Sequence, residues 1–165
     1  ERDDVQLALV GSMASDDPEG WDYLEQISAY VEGDPDVFVL SNLDNVGSIE
    51  IDAFQSHADV VLQKSVREGF GLTVTEALWK ARPTIAGAVG GIPLQIEDGK
   101  TGYLVDGVAT CAEPCLRVLA EPERHREMAL RGKEHVRSHF LMPRLLRDDL
   151  RVYVDLIEGK TTGET

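Results

Sequence analysis

One stretch of nine residues limits what this chain can fold into: Glu68-Gly-Phe-Gly-Leu-Thr-Val-Thr-Glu76. The apolar run Val60 to Leu62 precedes it and predicts a buried strand. After it, Val74, Ala77, Leu78 and Ala81 recur at helical spacing. The order is therefore strand, glycine-bearing loop, helix. Gly69 and Gly71 lack a Cβ, so the backbone can turn tightly and a ligand can come close. The first N–H groups of a helix have no acceptor within it, and the helix dipole adds partial positive charge there. Together these make a site for phosphate. Glu76 sits in the first turns of the helix with its Cβ tilted back toward the same loop. Taken singly, Glu68 is an ordinary loop acid and Glu76 a solvated helix residue. Their spacing around Gly-Phe-Gly, after a strand and at a helix start, gives them weight.

The rest of the chain repeats the strand–helix alternation. Val5–Val10, Val37–Leu40, Val60–Leu62, Thr84–Ala86 and Thr101–Val105 read as short strands. Helices are predicted over Trp21–Glu32, Ser48–His57, the motif helix up to Arg82-Pro83, Ala109–Leu119, Glu123–Ser138 and Pro143–Ile157. Ser12 to Gly20 reads as loop, and Gly87 to Gly91 as a glycine-rich loop. This predicts an α/β fold: a Rossmann-like parallel sheet with helices on both faces. Ligands of such sheets bind at the carboxyl ends of the strands. The loops Gly11–Met13, Ser41–Leu43, Gln63–Gly71 and Gly87–Gly91 fall there. Residues 1–158 are expected to form one domain and residues 159–165 a disordered tail.

Composition narrows the function. The 165 residues carry a formal net charge of −14, which argues against nucleic acid or an anionic membrane as partner. No segment has the apolar length of a membrane span. Cys111 and Cys115 lie four apart in a predicted helix, without the further ligands of a zinc site. They read as small thiols in a reducing cytoplasm, and no metal ligand set is expected. Lys64 and Arg67 flank the motif and read first as solvated cations. His57 reads as a helix-end partner. His125, His135 and His139 are assigned to surface helices without a role.

The glutamate–seven–glutamate spacing around Gly-Phe-Gly resembles the signature of the family-four retaining glycosyltransferases. Their GB fold has two Rossmann-like halves facing each other across a cleft. The resemblance implies that the loop and helix start (Gly69, Phe70, Gly71, Leu72 and Thr73) hold the diphosphate of a nucleotide-sugar. It implies that Glu76 binds the ribose hydroxyls and that Glu68, the catalytic candidate, lies beside the donor sugar. Gly90-Gly91-Ile92-Pro93 resembles the family's second glycine loop, which approaches sugar and phosphate. The family continues with an acidic residue, where this chain has Leu94 and Gln95. Asn42 and Leu43 sit where the family lets backbone and apolar groups meet the base. Asp98 to Gly102 matches the turn before the family's last strand.

A narrower likeness runs from about Val5 to Ile157. Asp16-Asp17-Pro18-Glu19-Gly20-Trp21, Leu62-Gln63 and the run from Ser65 to Ala77 resemble the trehalose synthase group, which joins a nucleotide-activated glucose to free glucose. In that family this half begins with an additional, central strand and an Arg- and Lys-bearing loop, and it is preceded by an acceptor-binding half. The chain therefore resembles part of the nucleotide-sugar half of a larger carbohydrate-metabolism enzyme. The implied donor is UDP-, ADP- or GDP-glucose, and a magnesium ion could ride on its diphosphate. The implied partners are the acceptor sugar and the N-terminal half, with a homodimer left open. The isolated chain is expected to be inactive. Two other readings stand beside this one: a non-catalytic nucleotide-sugar binding module, and a nucleotide-sugar epimerase of the same architecture.

Overall fold

The computed structural model describes residues 4–159. It is mixed α/β, with parallel strands flanked by helices. The chain packs as two compact units that divide after His57. The five strands hydrogen-bond into two sheets, one in each unit, where the sequence reading expects one.

In the first unit, β1 (Leu7–Gly11) and β2 (Val37–Ser41) run parallel, from Leu7 opposite Val37 to Gly11 opposite Ser41. The crossover is α1 (Pro18–Tyr30). This helix starts three residues before its predicted first residue, because Asp17 and Pro18 begin it. The Asp17 carboxylate accepts the Gly20 N–H at 3.0 Å, and Pro18 brings a helix-compatible φ to the first turn. After β2, Ser41 caps a 3-10 turn over Asn42–Asp44. Its hydroxyl accepts the Leu43 N–H at 3.2 Å, while Asp44 accepts the Ser41 N–H at 2.9 Å. Helix α2 (Ser48–His57) has its predicted bounds, and His57 closes it by bonding the Ala53 carbonyl at 2.8 Å.

The second unit holds β3 (Val61–Gln63), β4 (Thr84–Gly87) and β5 (Tyr103–Val105), all parallel in the order β3-β4-β5. Between and after them come α3 (Leu72–Trp79), α4 (Ile92–Gln95), α5 (Val108–Ala120), α6 (Pro122–His139) and α7 (Met142–Ile157). Helix α4 follows the predicted Gly87–Gly91 loop, over residues where the sequence reading names no helix. The predicted last strand begins two residues late, since residues 98 to 102 fold as a turn closed by Gly99 N–H to Gly102 O at 2.8 Å.

Alternation along β4 builds two apolar clusters. Ala86 packs with Val74, Leu78, Ile92, Ile96 and Val136. Its neighbour Ile85 packs with Tyr103, Val105, Val118 and Met128. The sheet is thereby covered on both faces, as strands of a parallel sheet require. His125, assigned to a surface, is 1% exposed. Its Nδ1 faces the Glu121 carbonyl at 2.7 Å and so carries the proton. Nε2 then accepts from the Tyr103 hydroxyl at 3.0 Å. Two hydrogen bonds make this buried imidazole a core residue. Among the described residues, no helix is long and apolar enough to cross a membrane. Residues 160–165 of the expected tail lie outside the described residues.

Candidate functional site

Strand β3 delivers Gln63 to the carboxyl rim, and a chain of hydrogen bonds begins there. Gln63 Nε2 donates to Ser65 Oγ at 2.8 Å, and Ser65 Oγ–H donates to Glu68 Oε2 at 3.3 Å. The other carboxylate oxygen of Glu68 accepts the N–H of Gly69 at 3.0 Å. The half-buried Glu68 is thus held at both oxygens, and a held carboxylate presents a fixed surface to a ligand.

The second glycine loop is clasped to this one backbone to backbone. The Gly91 N–H donates to Gly69 O at 2.7 Å. Gly90 adopts φ +56°, and a Cβ there would stand 1.8 Å from the Glu68 carbonyl oxygen. No side chain fits in that space, so glycine is required by conformation and by contact. Gly69 differs: nothing lies within 4 Å of where its Cβ would be. The loops open on a cleft of about 510 Å³ lined by Val66, Arg67, Glu68, Gly69, Val89 and Gly90. Arg67 therefore shares the cleft with Glu68. Lys64 lines a separate hollow of about 280 Å³ with Ser65, Val89 and Asp106.

Gly71 ends the loop at φ +90°, capping α3 without a side chain. Leu72 and Thr73 follow as the first helical residues, and Glu76 is exposed one turn on. The Phe70 ring packs against Phe140 with centroids 5.8 Å apart, which ties the loop to the residue that follows α6. Residues 68–73, 76, 90 and 91 thus belong to one unit, and the two loops are in direct contact. Asn42 and Leu43 belong to the other unit. The Asn42 side chain accepts the Met13 N–H at 2.7 Å and donates to the Met13 carbonyl at 3.2 Å, so its amide serves the loop after β1. Leu43 is exposed.

The sequence reading missed Gln95. It is fully buried, accepts the Thr75 hydroxyl at 2.5 Å, and donates from Nε2 to the Phe70 carbonyl. A signal for it was present. Ile92 and Ile96 are core residues four apart, and Gln95 lies three residues from Ile92 on the same helical side. A polar residue on a core-facing stripe has to find partners inside.

Among the described residues, no group of three or more His, Cys, Asp or Glu comes together to hold a metal. The thiols of Cys111 and Cys115 lie 3.9 Å apart. Burial, and then the neighbouring Cys111, push the Cys115 thiol up to about 11, which keeps it protonated and unreactive at neutral pH.

The family "Glycosyl transferases group 1" matches residues 1–135. The trehalose synthase of Rubrobacter xylanophilus is 62% identical over 154 residues, covering 93% of this chain and 37% of that protein. The trehalose synthase of Pyrococcus horikoshii is 49% identical over 94% of this chain and 36% of its own length. The chain thus spans little more than a third of these relatives. Among solved structures, the sucrose-phosphate synthase of Thermosynechococcus elongatus superposes with a TM-score of 0.77 at 25% identity, over 94% of this chain and 39% of that one. Anabaena HepE, solved in complex with UDP and glucose, shares the fold at 18% identity, with a TM-score of 0.76 over 92% of this chain and 41% of that one.

Proposed function

Since this chain belongs to the group 1 glycosyltransferases, we propose that it is the donor-binding part of an enzyme that moves glucose from a nucleotide-glucose to a sugar hydroxyl, with retention at the anomeric carbon. The proposed acceptor is free glucose and the product trehalose, in keeping with the identity to two trehalose synthases. The observation that carries the reading is the clasp between the Glu68–Gly71 and Gly90–Gly91 loops, which puts a held carboxylate and an open glycine on one cleft.

In this reading the diphosphate lies over Gly69 to Thr73. The first-turn N–H groups of α3 face the charge that grows on it as the glycosidic bond breaks. Glu76 takes the ribose hydroxyls. Glu68 orients the sugar, and the Gln63–Ser65 chain holds Glu68 in place. Arg67 supplies positive charge at the cleft. A magnesium ion would travel on the diphosphate oxygens. The acceptor-binding half, an additional central strand and a basic diphosphate loop would come from the remainder of the longer protein. We place that protein in the cytoplasm, where nucleotide-sugars and reduced thiols are found together.

The test is a donor screen on the full-length protein with free glucose as acceptor. Trehalose should form from a nucleotide-glucose. Formation of an epimerised nucleotide-sugar, or binding without turnover, would replace this reading with one of its rivals. The 165-residue chain alone should release no trehalose above a no-enzyme control.

A further inference from the structure

The buried Gln95 side chain sets the orientation of one peptide in the phosphate loop. Its Nε2 donates to the Phe70 carbonyl, and its Oε1 accepts from Thr75 in the first turn of α3. In a planar trans peptide the carbonyl and the following N–H point in opposite directions, and among the described residues no peptide bond is cis. Fixing the Phe70 carbonyl toward Gln95 therefore turns the Gly71 N–H away from it. A glycine follows the Phe70–Gly71 peptide, and the backbone has more conformations open to it there than at another residue. Gly71 at φ +90° and ψ +60° is a conformation that glycine reaches without penalty, as it does several others. A Cβ on Gly71 would stand 2.9 Å from Ile92 Cγ1, a side chain of the same short helix that carries Gln95.

We propose that Gln95 is a positioning residue for the nucleotide site: it pins the Phe70 carbonyl inward and so fixes the backbone of the glycine loop, whose neighbouring residues Glu68 and Gly69 line the cleft. The inference rests on the reading of the cleft as a nucleotide-sugar site and adds a residue to it. A neutral amide is suited to this task. A carboxylate has no proton to give the Phe70 carbonyl, and a leucine of similar size can neither donate nor accept. A carbonyl left inside without its donor has reason to turn toward water, and the loop would then lose the backbone conformation that the cleft is built on.

The experiment is NMR on the labelled chain with UDP as the probe. In the unsubstituted protein the Gly69 and Gly71 amide resonances should shift as UDP saturates. In Gln95→Leu the Phe70 carbonyl and Gly71 amide resonances should shift before any ligand is added. The Val74 and Leu78 methyls should stay in place, and UDP should bind at least about tenfold more weakly. Gln95→Glu supplies a readout that packing alone would not move. Its protonated form can donate to the Phe70 carbonyl and its ionised form cannot. The ratio of its UDP affinity to that of the unsubstituted chain should therefore rise between about pH 8 and about pH 5. If Gln95→Leu binds UDP as tightly as the unsubstituted chain with the same Gly71 response, the inference is overturned and the site reading stands. If Gln95→Leu does not fold, a flat affinity ratio for Gln95→Glu across that pH range overturns it. If the unsubstituted chain does not bind UDP, the site reading falls and takes the inference with it.

Discussion

The two units use the same strand–helix–strand grammar and differ in what they bury. Among the described residues, every buried apolar side chain lies at or after Val61. Before His57 the buried residues are Ser41 and Gln55, both polar, while Trp21, Ile27, Phe38 and Phe54 each remain more than a third exposed. Secondary structure can therefore be specified by local pattern in a segment that has no sealed core of its own. Helix α1 has a cap, an N-terminal proline and an apolar stripe, and still buries no residue. Most helical stability in proteins comes from packing of that stripe, which α3 has and α1 lacks. The motif sits in the unit where packing fixes the backbone, as the proposed nucleotide site, which would depend on placed N–H groups, requires.

The largest test of the contrast is a pair of truncations. Leu78 is fully buried in the cluster with Val74 and Ile92. Leu78→Ala should cost about 2–5 kcal/mol of stability in urea denaturation. Ile27→Ala, made where the side chain is 38% exposed, should cost less than about 1 kcal/mol. Equal losses would mean that the first unit is as well packed as the second.

A second pair separates glycines that serve the fold from one that serves the ligand. Gly90→Ala drives a Cβ into the Glu68 carbonyl at a positive φ, and should cost at least about 2 kcal/mol while also opening the clasp. Gly69→Ala meets nothing and should leave stability within about 0.5 kcal/mol, yet weaken nucleoside diphosphate binding if the ligand approaches there. Thermal melts and calorimetry on both variants read the two quantities. A Gly69→Ala variant with unaltered affinity would remove that glycine from the site.

Much of this was legible in the sequence. Among the described residues, the five strands and six of the seven helices follow from periodicity and from Pro and Gly punctuation, with ends off by up to three residues. Such offsets arise where a cap decides and the apolar stripe does not, as at Asp17. The motif was legible because its chemistry is local: a strand, two glycines and a helix start within a dozen residues. What could not be read is non-local. That Gly90 needs to be glycine depends on the Glu68 carbonyl some twenty residues away, and Gln95 matters only because it meets Phe70 and Thr75. His125 misled because a polar residue on a charged helix reads as surface, whereas its partners on Tyr103 and Glu121 make it core.

The two glutamates sharpen the contrast within the second unit. In the full-length protein Glu76→Ala should weaken nucleoside diphosphate binding by about 1.5–3 kcal/mol, the range for a hydrogen bond to a charged group. Glu68→Ala should leave that affinity nearly unchanged while turnover at saturating donor falls, because a sugar contact counts most when the sugar distorts and charge separates. If affinity and turnover fall together in Glu68→Ala, that carboxylate shapes the phosphate loop through the Gly69 N–H it accepts. If neither variant changes, the glycines and the helix start carry the site alone.

The smallest effect tests the weaker unit on its own terms. In the first unit the apolar side chains are at most half-buried, so polar ties weigh more there, and Asn42 makes two of them to Met13. They join the loop after β1 to the loop after β2, where the register already pairs Gly11 with Ser41. Both groups are exposed, so each bond exchanges with water and the net contribution is about 1 kcal/mol. Asn42→Ala should therefore speed amide hydrogen exchange at Leu9 and Val39 by about fivefold, and leave exchange at Ile85 in β4 unaltered. That outcome requires the two units to open separately, as their separate sheets and unequal burial suggest. Equal acceleration at Ile85 would mean that a tie at the rim of the two-stranded sheet stabilises the whole chain, and the two units would then be one cooperative body with an uneven core.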